Sequence, residues 1–394
     1  MRRETGMRGT DDVQEPEADG LNLGFWFPRP ERGARLAEEL TRRGHRVTIY
    51  HSLPVPWDRD RVRRVDYGPL VGLRVLRGLD HDVFFTSRSF VPVVQLRLNR
   101  WLTGRPYVYT LNGAIWSYYA ERSLPVASST AKSMFYGALL KLAVGGADAV
   151  VANSRFLAQG LRDTVPRHAR KIMTVYNGID YDGIEAGRRV PKEWPPGQRR
   201  VLSVVTLHFE RKSMGVRLLL DAFERIGRRV SDATYLIAAK SENPAAVEDL
   251  RRYVSQHPLV DRIKLQVNRR DIPDLLASAD LFLYASPPDS SDSLPRALLE
   301  AQAAGVPTVT TDTTGCGEAV LNQQTGLVVE YDADAVATAG VELLEARENA
   351  LRMAEAGKKA VRDRFCWAAM ADAYEEIFVR AAAGAGARAV RAHR

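Results

Sequence analysis

The chain has 394 residues, more than one hydrophobic core usually fills, so two domains are the expectation. Its hydrophobic fraction of 45% and charged fraction of 26% are those of an ordinary soluble globular protein. The net charge of +8, carried mostly by Arg, admits nucleic acid, an anionic membrane surface or an anionic small ligand; the scattered basic residues and the lack of any zinc-finger or RNA-recognition signature argue against nucleic acid, and a solvated Arg-rich surface is the plainest reading.

Residues 1–20 are polar and aperiodic and read as a disordered tail. Order is expected to begin with an apolar strand at Leu21–Phe27, an amphipathic helix at Glu31–Arg43 stopped by Gly44, and a strand at Val47–Tyr50. Strand patterns follow at Asp82–Thr86, Pro106–Leu111, Ala147–Ala152 and Lys171–Tyr176, with a helix at Ala131–Gly145 and a further helix capped by Ser154. Arg188–Arg200, with three prolines, reads as a linker. The alternation restarts with strands at Val201–Thr206, Ala233–Ala239, Ile263–Val267, Asp280–Ala285, Val306–Thr311 and Gly326–Val329, and helices at Val216–Arg229 and Ala245–Gln256. Alternation of this kind buries each strand between helices, so two doubly wound parallel-sheet domains in tandem are expected, 21–187 and 201–363. The tail from Ala381 is expected to fray.

The segment richest in chemistry is Ala279–Glu318. A buried strand ends at Ser286, a polar loop follows, and Pro295 is expected to open a helix with Ser293 as its cap. The free N–H groups and dipole of that helix start would face the carboxyl edge of the sheet and suit a diphosphate. Two carboxylates frame the turn, Asp292 outside the helix and Glu300 inside it beside Arg296, and carboxylates accept hydrogen bonds from paired hydroxyls of a sugar or ribose. An ordinary capped helix with an exposed Glu explains an isolated acidic pair equally well.

The pair does not stand alone. The segment resembles the donor-binding signature of family-four glycosyltransferases, an acidic residue and a Glu separated by seven residues across a strand–loop–helix turn, with Asp292 in place of the more usual Glu. The flanking DIPDLLASADLFLYAS and AAGVPTVTTDTTGC, together with VVANSRF, VYNGID, LLLDAF and RFCWAAMADAYEEIF, are similar to the same family; the last resembles its closing helix, 364–380, which crosses back onto the first domain before a flexible basic tail, 381–394. The resemblance implies a GT-B architecture, two Rossmann-like domains facing across a cleft, with the acceptor held by the first and the donor by the second. It implies that Glu300 grips the ribose, that Asp292 meets the transferred sugar, and that the backbone of Ser293, Leu294 and Pro295 lines the donor. A metal-free site needs fixed cations for the leaving diphosphate; the loop after Val201–Thr206 offers His208, Arg211 and Lys212, with Lys212 at the family's Lys position and Arg211 standing in for a displaced Arg.

The first domain departs from the family pattern. FPRPERGAR keeps only Gly33 where paired glycines are common, and TLNGAIW places Asn112 before Gly113 where a His is usual; both are candidates for contact with the sugar or acceptor, and Asn can hydrogen-bond a hydroxyl without carrying a proton charge. Neither a dinucleotide fingerprint, a Walker loop, a serine elbow nor a metal-ligand spacing of His residues is present, so no cofactor and no metal are expected. Cys316 and Cys366 suit a reducing cytosol, and Cys316 reads as a small residue in a tight turn rather than a catalytic thiol. No stretch approaches the length of a membrane span and no signal peptide is evident, so a cytoplasmic location is expected. Phe90–Trp101 and Ala131–Gly145 mix aromatic, aliphatic and basic residues; core packing accounts for them, with peripheral contact at the inner membrane face as the other reading.

The expected function is therefore retaining, metal-independent hexosyl transfer from a nucleotide-diphosphate sugar to a carbohydrate, lipid-linked or small-molecule acceptor. Its rivals are a non-catalytic nucleotide-sugar-binding partner of another transferase and a nucleotide-sugar epimerase of the same architecture.

Overall fold

The computed structural model describes residues 20–27, 33–51, 62–66, 80–87, 90–112, 129–187, 194, 197–207, 210–288, 290 and 292–392. The first half contains β1 (Asn22–Trp26), α1 (Ala34–Arg42), β2 (Arg46–His51), β3 (Arg63–Asp66), β4 (Val83–Ser87), α2 (Phe90–Thr103), β5 (Tyr107–Leu111), α3 (Ser129–Gly146), β6 (Ala149–Ala152), α4 (Arg155–Thr164) and β7 (Ile172–Thr174). Its seven strands form one parallel sheet in the order β3-β2-β1-β4-β5-β6-β7. Strands such as VFFTS and YVYTL are buried along their whole length because helices cover both faces. Ser154 caps α4 as expected, its Oγ accepting from the Leu157 N–H at 3.0 Å. In α2 and α3, Val93, Leu96, Leu140 and Val144 are buried in one core, whereas Trp101 is 79% exposed.

After a short helix, α5 (Tyr181–Glu185), the second half adds β8 (Arg199–Thr206), α6 (Glu210–Arg229), β9 (Ala233–Lys240), α7 (Pro244–Ser255), β10 (Ile263–Val267), α8 (Ile272–Ala277), β11 (Leu281–Tyr284), α9 (Arg296–Ala303), β12 (Thr308–Thr311), α10 (Cys316–Ala319), β13 (Leu327–Val329), α11 (Ala333–Glu345), α12 (Arg347–Arg364) and α13 (Trp367–Ala392). Six parallel strands run β10-β9-β8-β11-β12-β13. The strand order reverses between β8 and β11, which places a ligand crevice outside their carboxyl ends.

The packing moves three sequence-based boundaries. Ile179, Tyr181, Ile184 and Trp194 belong to the core of the second half, so the chain crosses between the halves near Asn177–Asp180, upstream of the proline-rich stretch. The closing helix begins at Trp367, not at Arg364, because Phe365 and Cys366 interrupt it and Cys366 bridges to Ile179. It continues to Ala392 instead of fraying from Ala381, in keeping with the high helix propensity of its Ala-rich sequence.

Two of the contacts that join the halves fix their packing. Helix α13 lies on the first sheet: Tyr374 donates to Thr110 Oγ1 at 2.9 Å, Phe378 packs edge-to-face with Phe85 at 5.5 Å, and Arg43 pairs with Asp372 and Glu375. Glu318, on α10 of the second half, reaches the start of α4 in the first. Its carboxylate accepts from the N–H groups of Arg155 (2.7 Å) and Phe156 (2.6 Å) and from the Tyr176 hydroxyl (3.0 Å). A carboxylate at a helix amino end satisfies orphan donors and the positive dipole together. The negative charge also holds the Tyr176 phenol, already raised by burial, above its usual pKa.

Two substitutions measure these contacts. Phe378→Ala will cost about 3–5 kcal/mol in denaturant unfolding, as expected for a fully buried Phe; a loss below about 1 kcal/mol would mean that α13 does not dock on the first sheet. Glu318→Ala will cost about 2–3 kcal/mol, with Glu318→Gln closer to wild type because it keeps an acceptor; an Ala variant as stable as wild type would remove the contact from the native state.

Candidate functional site

The crevice is built from three segments at the carboxyl edge of the second sheet. The first is the turn between β11 and α9. Helix α9 starts at Arg296, one residue later than expected: Pro295 is the cap residue, with extended backbone and no side-chain cap, so Ser293 does not fill that role. Pro295 has no N–H to donate, and the N–H of Leu298 is taken by the Pro295 carbonyl at 3.2 Å. Ser293 and Leu294 are buried in the turn. Their burial fits a structural use of these side chains within the turn.

Asp292 is held under this turn. Its Oδ2 accepts from the hydroxyls of Tyr284 (2.7 Å) and Ser286 (3.0 Å), and its N–H donates to Ser290 Oγ at 3.1 Å. Burial raises the Tyr284 phenol well above its ordinary pKa, and the neighbouring Asp292 charge raises it further, so Tyr284 stays a donor. Glu300 lies on α9, with Arg296 Nη2 donating to its Oε1 at 3.3 Å. Burial pushes the Glu300 carboxyl above the usual carboxylate range, and the exposed Arg296 opposes that shift.

The second segment is the start of α6. Gly215 in this helix lies against the end of β11: a Cβ there would fall 2.2 Å from the Ala285 carbonyl oxygen. This helix begins at Glu210, so Arg211 and Lys212 stand in its first turn and not in the loop that the sequence reading expected before Val216. The side chains of Arg211 and Lys212, and His208 entirely, lie outside the described residues.

The third segment is the loop from Asp312 to Gly315, which the sequence reading gave no separate role. The Gly315 N–H donates to the Asp292 carbonyl at 3.2 Å, and a Cβ on Gly315 would fall 1.6 Å from the Ser293 carbonyl oxygen. Thr313 Oγ1 donates to the Ser286 carbonyl at 2.6 Å. Cys316 follows, fully buried in the hydrophobic core. That burial matches a small packing residue and is unsuited to a nucleophile. Tyr284 and Ser286 carry no pattern that would mark them as supports of Asp292, and Glu318 gains its role only from the far half of the chain.

Across the crevice, Asn112 is exposed at the end of β5 and lines a cavity of about 360 Å³ with Ser87, Asn177, Arg35 and, from α9, Arg296. Asn112 and the start of α9 thus share one cavity. Gly113 lies outside the described residues. Gly33 borders the same cavity and must be glycine twice over: its φ is +129°, and a Cβ would sit 2.6 Å from the Phe27 ring.

Comparison with known proteins agrees with this geometry. Residues 198–346 match the family model for glycosyl transferases group 1, and residues 33–182 match that for glycosyltransferase family 4. The N-acetyl-alpha-D-glucosaminyl L-malate synthase of Bacillus anthracis is 28% identical over 244 residues, 61% of this chain and 61% of that relative. The chain thus spans about three fifths of that relative's length. Among solved structures, a glycosyltransferase from Rickettsia africae superposes with a TM-score of 0.73 at 19% identity, covering 92% of this chain and 98% of that one. HepE of Anabaena in complex with UDP-glucose superposes with a TM-score of 0.68 at 17% identity, covering 91% and 100%. At these identities the structures establish the fold, and the family matches supply the rest: the chain belongs to the family-four glycosyltransferases, with the GT-B fold.

Proposed function

We propose that the protein transfers a hexosyl group from a nucleotide-diphosphate sugar to an acceptor hydroxyl, with retention of anomeric configuration and without a metal ion. The observation that carries this reading is the convergence of the β11–α9 turn, the first turn of α6 and the Asp312–Gly315 loop on one crevice. The relative named for L-malate and the neighbour bound to UDP-glucose support a nucleotide-sugar donor and a hydroxyl acceptor. Carbohydrate, glycolipid and small natural product all stand as acceptor classes.

In this scheme the amino ends of α9 and α6 face the diphosphate, which gains negative charge as the bond from the anomeric carbon to its oxygen breaks. Arg211 and Lys212 supply the compensating cations, with His208 beside them. Glu300 accepts from the ribose hydroxyls. Asp292, fixed by Tyr284 and Ser286, orients the hexose, and the backbone of Ser293, Leu294 and Pro295 walls the donor. Asn112 and Gly113 approach from the other half. The acceptor oxygen bonds the anomeric carbon on the face the diphosphate leaves, and its proton passes to the departing diphosphate oxygen. Cleft closure excludes water and aligns the reacting atoms.

Turnover with the matching donor will persist in EDTA, and Lys212→Ala will lower kcat by about 100- to 1,000-fold. Loss of activity to chelator, restored by a divalent ion, would contradict the scheme, as would full activity in the Lys212 variant. Because burial raises the Glu300 pKa, donor affinity will begin to fall on acidification at a pH above the ordinary carboxylate range. Glu300→Gln will bind more weakly at neutral pH and lose that acid limb; an unchanged pH profile would take Glu300 out of the donor site.

A further inference from the structure

Helix α2 buries one face in the core and leaves an apolar stripe on the other. Val94, Leu98, Trp101 and Leu102 fall within about 100° of arc at helical spacing. Val93 and Leu96 are buried, whereas Val94 is 37% exposed, Leu102 48% and Trp101 79%, and Leu98 is half-buried. Single exposed apolar residues are ordinary, but a stripe of four that ends in Trp101 and Leu102 is not. Because α2 connects two parallel strands it runs back to their amino ends, so Trp101 and Leu102 lie at the amino edge of the first sheet. Cations border this stripe. Neither α2 nor α3 holds an Asp or Glu, and residues 90–147 contain six Lys and Arg against one acidic residue. Arg97, at the edge of the stripe, donates through Nη1 to the Leu142 carbonyl of α3 at 2.6 Å, a partner that leaves its charge in place. Lys141, the residue before, is exposed. Arg100 lines a recess with Arg170, Lys171 and Arg380 where β6 and β7 begin. Among the described residues, Asp148 is the one acid lining that recess; it pairs with Arg100 at 2.9 Å, and Arg380 pairs with Glu376 outside it. Lys171 donates only to carbonyls in its printed bonds, those of Gly145 (3.2 Å) and Ala147 (2.9 Å), and Arg170 is exposed.

We propose that this face of the first half docks on an anionic phospholipid bilayer. The Val94–Leu98–Trp101–Leu102 stripe enters the boundary between headgroups and acyl chains, and Arg97, Lys141 and Arg170 meet lipid phosphates around it. An indole suits that boundary, with its apolar body inward and its N–H toward the headgroups. Charge complementarity selects this occupant. A soluble polyanion would use the cations alone and leave Trp101 and Leu102 in water, and a neutral apolar partner would use the stripe alone. A bilayer with negative headgroups uses both. The docking face lies at the amino edge of the first sheet, whereas Asn112, at the carboxyl end of β5, borders the cavity on the opposite edge, so docking leaves the crevice accessible. The proposal does not depend on the transferase reading.

Co-sedimentation of the full chain with vesicles tests it, phosphatidylcholine alone against phosphatidylcholine with about one third phosphatidylglycerol. The anionic vesicles will bind at least about tenfold more tightly, and the difference will shrink as salt is raised. The double variant Trp101→Ser, Leu102→Ser will weaken binding to the anionic vesicles about tenfold although it leaves the charge unchanged, and Arg170→Glu will weaken it severalfold. These side chains are exposed, so both variants will keep the melting temperature of wild type. The double variant separates insertion from mere adsorption of a basic protein, which it would leave untouched. Equal affinity for the two kinds of vesicle, no binding to either, or undiminished binding of the double variant would overturn the proposal. So would binding of heparin as tight as that of the anionic vesicles and insensitive to the double substitution, which would make the face a site for a soluble polyanion.

Discussion

Two backbone approaches too close for a side chain hold the crevice of the second half in shape. Helix α6 presses Gly215 onto the Ala285 carbonyl, and the Asp312–Gly315 loop presses Gly315 onto that of Ser293. Neither contact leaves room for a methyl group. Together they fix how closely α6 and the Asp312–Gly315 loop approach the turn after β11, where the Asp292 carboxylate is held by Tyr284 and Ser286. In the proposed reaction, rigid support of this kind would let a small set of polar groups meet a diphosphate without reorganising as charge develops.

The same loop connects the crevice to the other half. One turn beyond Gly315, Glu318 caps α4, so a movement of the first sheet relative to the second pulls on the segment that packs against Asp292. The chain passes between the halves at Asn177–Asp180 and again at Phe365–Cys366, and the Ile179–Cys366 bridge ties the two crossings side by side. The cavity bordered by Phe27, Phe85 and α13 adjoins the first crossing at Asn177 and Gly178.

Much of this was legible from the sequence because parallel strands buried on both faces read as apolar runs. VLSVV, YLIAA and LFLY announce β8, β9 and β11 without any partner information. The edge strand β3 is RRVD, charged and four residues long, and no periodicity identifies it. Proline drew the expected linker to 188–200, yet Tyr181 and Ile184 had already joined the second core, a long-range choice that local composition does not record. Pro295 and Ser293 looked like first helical residue and cap; the close approach of Gly315 instead buries Ser293 and leaves the cap position to Pro295. The acidic pair Asp292 and Glu300 was visible, whereas its supports were not, because Tyr284, Ser286 and Gly315 acquire meaning only once the loops meet. Trp367 looked like part of a closing helix and became a wall of the cavity.

Calorimetric titration of a panel of nucleoside diphosphates, in EDTA, against the wild-type chain and a Gly315→Ala variant tests the central claim most directly. The account predicts that at least one nucleotide binds wild type with one-to-one stoichiometry, and that the folded variant binds it at least about tenfold more weakly, since the added methyl must displace the Ser293 turn. Equal affinity in the two proteins, or no binding of any nucleotide to wild type, would contradict it.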